Sequence, residues 1–272
     1  MEVPQNGRTP LHIACTRERS EETLNLVRLL LHYQANPNAI CNGQTALSLA
    51  IAFGNESLVD LLLNHENTDP STVLGFGNGN ALCMLLSTFY ESCWSYSKRI
   101  QLIERLILKN PKVLYPVRFG PKNHLGSCVD YGYYMTLRIA QSPYHSLTNQ
   151  ERVIINQRKE LLAYIAKRFR EEVTKYDGFL RLTPSDGSNS ARLSSQEFRF
   201  CATCGRNTGV RLSVCKRCQK ASFCSKTCIV NGWNNFHRYE CRQLSPRPHT
   251  TGRNKVCYVN FDLIILFFFF RI

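Results

Sequence analysis

Two stretches near the start of the chain repeat one pattern of apolar and polar positions. Residues 7–14 read GRTPLHIA and residues 43–50 read GQTALSLA, and a leucine-rich segment follows each of them, at 26–38 and 58–70. Apolar residues three and four apart predict amphipathic helices, so each copy should contain two short helices. The copies start 36 residues apart. A period of this size indicates stacked units that bury one another's apolar faces.

The first copy resembles the ankyrin repeat, whose period is about 33 residues. The T-P-L-H-x-A signature of that family is matched by Thr9, Pro10, Leu11, His12 and Ala14. In the second copy, Ala46 and Ser48 stand where the signature has Pro and His. The resemblance implies that His12 hydrogen-bonds within its turn rather than acting as a metal ligand or a base. The leucines of the second helices, which stacking should bury, are Leu29, Leu30, Leu61, Leu62 and Leu63.

A third, degraded copy follows. Residues 79–82 open it, residues 99–107 supply its second helix, and an insertion at 87–97 separates them. Gly75, Gly77 and Gly79 suggest a phosphate-binding loop, but no strand precedes them and no Lys-Ser/Thr follows, so we interpret them as an inter-repeat turn. The predicted ankyrin region is 1–114.

Residues 115–177 are predicted to be a degenerate repeat with capping helices. A short helix is expected around 130–141. Thr148 and Glu151 have capping-box spacing, and apolar residues recur at helical spacing from there to Val173. A membrane-surface helix is an alternative, but a solenoid needs a polar cap, which favours capping. Residues 178–200 have the composition of a flexible linker.

Beyond the linker, seven of the 13 cysteines fall in one short segment, in the pattern C-x2-C-x10-C-x2-C-x5-C-x3-C-x8-H-x3-C. Seven thiols and one imidazole are enough for two tetrahedral Zn²⁺ ions, and such sets leave no open position, so both ions would be structural. The predicted ligands are Cys201, Cys204, Cys215, Cys218, Cys224, Cys228, His237 and Cys241.

This module, residues 201–241, resembles the MYND-type zinc finger. Residues 223–228 read FCSKTC, and Trp233 precedes the histidine as in that family. The resemblance implies interleaved ligation, in which the first and third ligand pairs share one zinc and the second and fourth share the other. It also implies a shallow groove for proline-rich peptides, with Trp233 as the peptide-binding residue. The family commonly has Gln after the sixth ligand, whereas this chain has Ile229.

Basic residues are concentrated in the last third of the chain. The chain has 34 Lys and Arg against 20 Asp and Glu, a formal net charge of +14. Residues 1–177 hold 19 basic and 16 acidic side chains, net +3, and residues 178–272 hold 15 and 4, net +11. This excess keeps nucleic acid as an alternative partner. The spacing of DNA-reading C2H2 fingers is absent and no recognition helix is readable, which favours proteins over nucleic acid.

The two ends of the chain bear on its location. The first ten residues have no signal-peptide character, so we expect an intracellular protein, cytoplasmic rather than nuclear, in which clustered cysteines bind metal instead of forming disulfides. Residues 242–272 are predicted to be an unstructured tail, basic and then hydrophobic. Its apolar run, 263–270, is far shorter than the ~20 residues of a membrane span.

Together these patterns predict a mainly α fold: an ankyrin-repeat helical solenoid followed by a small two-zinc MYND-type finger. The chain resembles the ankyrin repeat and MYND domain-containing proteins, as a C-terminal portion or a short isoform. The predicted function is a non-enzymatic zinc-binding adaptor with protein partners. We find no cofactor motif of a MYND-containing methyltransferase and no His-x-Asp iron motif, so the enzyme alternative is a non-catalytic remnant of a larger MYND enzyme. The other alternative is a nucleic-acid-associated zinc-finger regulator, because the last third of the chain is basic.

Overall fold

The computed structural model describes residues 7–88, 93–119, 124–137, 148–175, 199–207 and 209–244. Most of the predicted linker (178–200) and most of the predicted tail (242–272) lie outside the described residues.

The first two repeats each form a pair of helices: α1 (Pro10–Cys15) with α2 (Glu21–His32), and α3 (Ala46–Ala52) with α4 (Glu56–Asn64). The threonine of each signature caps its first helix. The hydroxyl of Thr9 accepts the backbone N–H of His12, and Thr45 forms a reciprocal capping box with Ser48. Ser48 thus supplies a local hydrogen bond where the signature has histidine.

His12 is buried and joins the two repeats. Its Nε2 lies 3.0 Å from the carbonyl oxygen of Gln44, which can only accept, so Nε2 carries the proton. Nδ1 then accepts from the hydroxyl of Thr9 at 2.7 Å. Both ring nitrogens are occupied by structural hydrogen bonds, one within the turn and one to the next repeat.

A third helix pair, α5 (Ala81–Ser87) and α6 (Tyr96–Lys109), lies where the degraded copy is predicted. In the insertion between them, the buried Trp94 donates its indole N–H to the carbonyl oxygen of Ile51 at 2.8 Å. Arg99 is buried beneath this segment. Its guanidinium donates to the carbonyl oxygens of Leu85 (2.9 Å), Thr88 (2.7 Å) and Trp94 (3.2 Å), and so satisfies the carbonyl end of α5.

The repeats share one continuous apolar core, to which α3, α4 and α5 contribute residues such as Leu47, Leu62 and Leu82. One expectation about this core is wrong. Leu29 is 53% exposed, because Val27 and Leu31 face the core and Leu29, two positions from each, lies on the opposite side of α2.

The glycine-containing segment at 75–79 is an inter-repeat turn, in agreement with the interpretation preferred over a phosphate-binding loop. The backbone N–H of Gly75 donates to the carbonyl oxygen of Gly43 at 3.0 Å, which ties adjacent turns together. A Cβ at Gly75 would lie 2.7 Å from the Cα of Gly43, so the backbones approach too closely for any side chain.

After a 3₁₀ turn at Pro111–Leu114, a short antiparallel hairpin of β1 (Val117–Phe119) and β2 (His124–Gly126) leads to α7 (Cys128–Leu137) and α8 (Asn149–Lys175). Helix α7 packs on α5, and α8 packs on α6 and α7. Thr148 and Glu151 form the predicted capping box at the start of α8. These two helices, named the capping helices below, bury their apolar residues against the solenoid, including Val129, Leu161, Leu162, Ile165 and Phe169.

The finger is built from β3 (Ser213–Val214), β4 (Ser222–Phe223), α9 (Lys226–Gly232) and α10 (Arg238–Leu244), with a π-helical segment, Trp233–His237, between the two helices. β3 and β4 pair as an antiparallel ribbon. Within the described parts of the chain, no helix is long and apolar enough to cross a membrane.

Candidate metal centre

The eight predicted ligands come together in two sets. The side-chain donor atoms of each set all lie within 4.8 Å of one another. Spacing along the chain left the pairing open, and in the structure the sets are interleaved as the MYND resemblance implies. The first set is Cys201, Cys204, Cys224 and Cys228, and the second is Cys215, Cys218, His237 and Cys241.

The first set is assembled from a turn, a strand end and a helix. Cys201 and Cys204 lie in the opening turn, which a parallel bridge between Cys201 and Ser222 holds beside β4. Cys224 directly follows β4, and Cys228 lies in the first turn of α9, whose N-cap is Ser225. The Sγ of Cys224 is 3.5 Å from that of Cys204 and 3.6 Å from that of Cys228.

Helix α9 is fixed against the opening turn by two close contacts. The hydroxyl of Thr203 donates to the carbonyl oxygen of Cys228 at 2.6 Å. A Cβ at Gly232 would lie 2.6 Å from both the ring of Phe223 and the hydroxyl of Thr203. Glycine at 232 is therefore needed for α9 to lie close enough to bring Cys228 into the first set.

The second set joins the ribbon to the last two helical segments. Cys215 and Cys218 flank the turn after β3, His237 ends the π-helical segment, and Cys241 lies in α10. The Sγ atoms of Cys215 and Cys241 are 3.9 Å apart, and the Sγ of Cys218 is 3.8 Å from Nε2 of His237. Because hydrogen bonds in a π-helix span five residues instead of four, the following side chains change direction, and this segment helps to place His237 among the cysteines.

These distances fit a tetrahedral metal and exclude disulfides. With Zn–S bonds of about 2.3 Å, ligands at tetrahedral corners lie about 3.8 Å apart. The measured separations of 3.5–3.9 Å match that edge, whereas a disulfide requires about 2.05 Å. Four protein donors fill every position in each set, and sulfur with imidazole nitrogen is the donor chemistry typical of structural zinc.

The pKa shifts of the donors go in both directions. The pKa is lowered at Cys201, Cys215 and His237. It is raised at Cys204 by the hydrogen bond with Cys201, and at Cys224 and Cys241 by burial. A hydrogen bond from the side chain of Cys204, with backbone N–H groups that include that of Cys224, lowers the pKa of Cys201 to about 5, although burial opposes this. Burial lowers the pKa of His237 and so favours the neutral imidazole that binds metals. Nδ1 of His237 has no hydrogen-bond partner among the described residues.

Trp233, the predicted peptide-binding residue, lies in the π-helical segment and is half-buried. Its indole and the ring of His237 lie edge to face, with 6.0 Å between the ring centroids. Ile229 precedes it by four residues and is 39% exposed, and Val230 is more exposed. Residues four apart share a helix face, so Ile229 and Trp233 lie on one side of the finger.

Two residues hold the finger from outside and were not predicted from the sequence. Asp130 in α7 and Arg170 in α8 both contact it, through hydrogen bonds to Asn207 and an ion pair with Glu240. Neither residue belongs to a motif. Their partners are about 70 residues or more along the chain, so local patterns contain no signal for these contacts.

Comparisons with known proteins agree with both parts of the fold. The family model for ankyrin repeats, described as three copies, matches residues 1–73, and the model for the MYND finger matches residues 201–241. No solved structure matches the chain.

Two relatives, both named Ankyrin repeat and MYND domain-containing protein 1, match most of the chain. The mouse protein is 38% identical over 277 residues, which covers 91% of this chain and 30% of the relative. The human protein is 38% identical over 269 residues, 88% of this chain and 28% of the relative. The chain thus spans under a third of the length of these relatives. With its repeats, its finger and the segment between them all matched, the chain belongs to the family of ankyrin repeat and MYND domain-containing proteins.

Proposed function

We propose that this protein is a zinc-dependent adaptor, which binds one protein through its ankyrin repeats and another through its MYND finger. Ankyrin repeats and MYND fingers are protein-interaction modules. The observation that carries the proposal is the pair of closed ligand sets: a metal with four protein donors has no position for substrate or water, so it can stabilise a binding surface but cannot activate a reactant. We place this adaptor inside the cell, in the cytoplasm rather than the nucleus.

We propose that the metal is zinc, one ion in each set. A finger of this size has a small core, formed mainly by Cys201, Ala202 and Phe223. Structural zinc contributes about 10–16 kcal/mol in finger peptides, more than so small a core provides. The binding surface therefore exists only while both metals are held.

The peptide-binding surface of the finger is proposed to include Trp233 and Ile229. An indole that is half-buried against a rigid metal loop offers a large contact area at little entropic cost. Ile229 replaces the side-chain amide that the family commonly has here, so a hydrogen-bonding contact gives way to an apolar one. We propose that the finger holds proline-rich peptides by stacking and apolar contact.

A second candidate, nucleic-acid binding, is favoured by one observation. In the described part of the finger, 199–207 and 209–244, nine Lys and Arg accompany a single acidic residue, Glu240. A basic surface of this kind binds phosphates in a strongly salt-dependent manner. Within residues 199–207 and 209–244, the finger has no helix of the length and spacing used to read a DNA groove, so the adaptor is preferred.

The test is affinity capture by the purified chain in its wild-type form and as Cys215→Ser, with Cys93→Ser as the matched control. Cys93 is a half-buried cysteine outside both sets. Proteins retained by the wild type and by Cys93→Ser, but lost from Cys215→Ser, would be partners of the metal-loaded finger. Retention of DNA or RNA that falls steeply with salt, without capture of a protein, would replace the adaptor by the second candidate.

A further inference from the structure

The opening turn of the finger lies directly on the capping helices α7 and α8. The turn runs from Cys201 to Asn207 and contains two donors of the first set. The finger meets these helices through hydrogen bonds, close packing and ring contacts.

The hydrogen bonds centre on Asp130, a buried carboxylate in the first turn of α7. It accepts the backbone N–H of Ser127 at 3.0 Å and the hydroxyl of Ser127 at 2.9 Å, and so caps its own helix. The same carboxylate accepts the backbone N–H of Asn207 at 2.9 and 3.1 Å. One residue therefore fixes both the start of α7 and the end of the metal-binding turn.

Ser127 and Gly205 bring the two backbones still closer. The hydroxyl of Ser127 has one hydrogen, which it shares between Asp130 and the carbonyl oxygen of Gly205 at 2.8 Å. Gly205 has φ +73°, and a Cβ there would lie 2.9 Å from the side chain of Val129 in α7 and 3.1 Å from that of Ala166 in α8. The residue after Cys204 must therefore be glycine both for its backbone conformation and for its fit between the capping helices.

Ring contacts extend the junction along α8. The rings of Phe169 and Phe200 lie edge to face, with 4.4 Å between centroids. Further along α8, the guanidinium of Arg170 stacks over Phe236 at 3.6 Å and pairs with Glu240 at 3.7 Å. Phe236 directly precedes the ligand His237, so the junction reaches both ligand sets.

We propose that Asp130 is a positioning residue for the first metal set, and that metal binding at this set is thermodynamically coupled to the stability of the capping helices. The inference rests on the proposed zinc binding. Residues that orient ligands from outside the coordination sphere hold the donors in place before the metal arrives. Because coupling is reciprocal, metal in the first set must in turn stabilise α7 and α8, so the finger and the capping helices form one unit.

The test compares Gly205→Ala with Gly209→Ala in the full chain. Both glycines have left-handed φ, +73° and +70°, so both substitutions introduce the same backbone strain. A Cβ at Gly205 would contact the capping helices, whereas one at Gly209 would have only the flexible end of Arg206 nearby, at 3.6 Å. Comparison of the two variants therefore distinguishes the effect of disrupting the contact with the capping helices from the effect of backbone strain within the finger.

Both variants and the wild type would be loaded with Co²⁺ and challenged with EDTA. Because one set has four cysteines and the other has three with a histidine, their cobalt absorption bands differ and report each set separately. We expect Gly205→Ala to release cobalt from the four-cysteine set about tenfold faster than Gly209→Ala does. Asp130→Asn, which keeps the shape and one acceptor oxygen, should show a smaller acceleration at the same set, and it serves as the test if Gly205→Ala does not fold.

Hydrogen exchange then measures the reverse direction of coupling. Removing metal from the wild type should increase amide exchange in 128–137 and in 149–175 but leave residues 9–64 protected. Unchanged exchange in both capping helices, or equal release from the two glycine variants, would overturn the coupling while leaving zinc binding intact. A wild-type chain that holds no metal would overturn the proposed zinc-dependent adaptor itself.

Discussion

The Sγ atoms of Cys204 and Cys224 lie 3.5 Å apart, although 20 residues separate them along the chain. Cys215 and Cys218, which lie between them in sequence, belong to the other set. Each set therefore joins the two ends of a segment that contains two ligands of the other set. Because the two segments overlap, neither half of the finger can form a complete site alone.

The first prediction concerns metal content. The purified chain should contain two zinc ions, and Cys215→Ser should contain one, because three donors hold the metal far less firmly than four. Inductively coupled plasma mass spectrometry checks both values, and Cys93→Ser, outside both sets, should retain two. A folded wild-type finger with one zinc or none would contradict the assignment.

The second prediction separates a buried from an exposed leucine. Leu62 of α4 is fully buried and Leu29 of α2 is 53% exposed. Leu62→Asp places an unpaired charge in the shared core and should lower the free energy of unfolding by about 4 kcal/mol or more, whereas Leu29→Asp should change it by under about 1 kcal/mol. Urea unfolding followed by circular dichroism gives both values. Similar losses in the two variants would mean that α2 and α4 are not packed as described.

The third prediction is a pH dependence at Asp69, which follows α4. Burial opposes its ionisation, but hydrogen bonds from Ser71 and Asn110 outweigh this and hold its pKa below the ordinary 3.8. A lowered folded pKa stabilises the protein above the unfolded pKa, and this stabilisation is lost as pH falls through the folded value. Asp69→Asn should therefore lower the thermal midpoint at about pH 6 and match the wild type in strong acid.

The control for this comparison is Glu66→Gln, a change at a nearby exposed carboxylate. Its thermal midpoint should follow that of the wild type at every pH. If the difference between Asp69→Asn and the wild type did not shrink below pH 3.8, the hydrogen bonds from Ser71 and Asn110 would not be the source of the stabilisation.

The fourth prediction tests the peptide-binding role of Trp233. Trp233→Ala should keep both zinc ions and weaken a finger-dependent protein partner by about 2 kcal/mol or more, a value typical of a central aromatic contact. Tyr239→Ala is the matched control, since Tyr239 is an aromatic residue of α10 that is 66% exposed. Isothermal titration measures affinity, and metal analysis confirms loading.

Three results are distinguishable in this experiment. Loss of zinc in Trp233→Ala would mean that the indole supports His237, with which it lies edge to face. Unchanged affinity with both zinc ions retained would exclude Trp233 as a peptide-binding residue. Equal weakening in Trp233→Ala and Tyr239→Ala would indicate a diffuse surface without a central aromatic contact.

Much of the fold was predictable because its determinants are close together in sequence. The repeat period predicted the helix pairs, and the expected mainly helical solenoid followed by a finger is confirmed. Helix starts were encoded by capping residues three positions apart, as at Thr45 with Ser48 and at Thr148 with Glu151. The candidate ligands were predictable for a similar reason, since short cysteine spacings are the signature of structural zinc.

The tertiary structure determined which side chains are buried and which residues distant in sequence contact one another. Leu29 fits the apolar pattern of α2 but faces solvent, because only its angular position relative to the next helix determines burial. Arg99 is buried because two carbonyl groups at the end of α5, and that of Trp94 in the insertion, need donors, which its sequence neighbours do not reveal.

The junction between the finger and the capping helices is the clearest case. Asp130 and Asn207 are 77 residues apart and carry no motif, yet one carboxylate fixes both the start of α7 and the metal-binding turn. The sequence by itself therefore determined the modules, because local spacing encodes helix ends and metal donors. Only the tertiary structure determined how the modules join, because that depends on the fit between surfaces that no local pattern specifies.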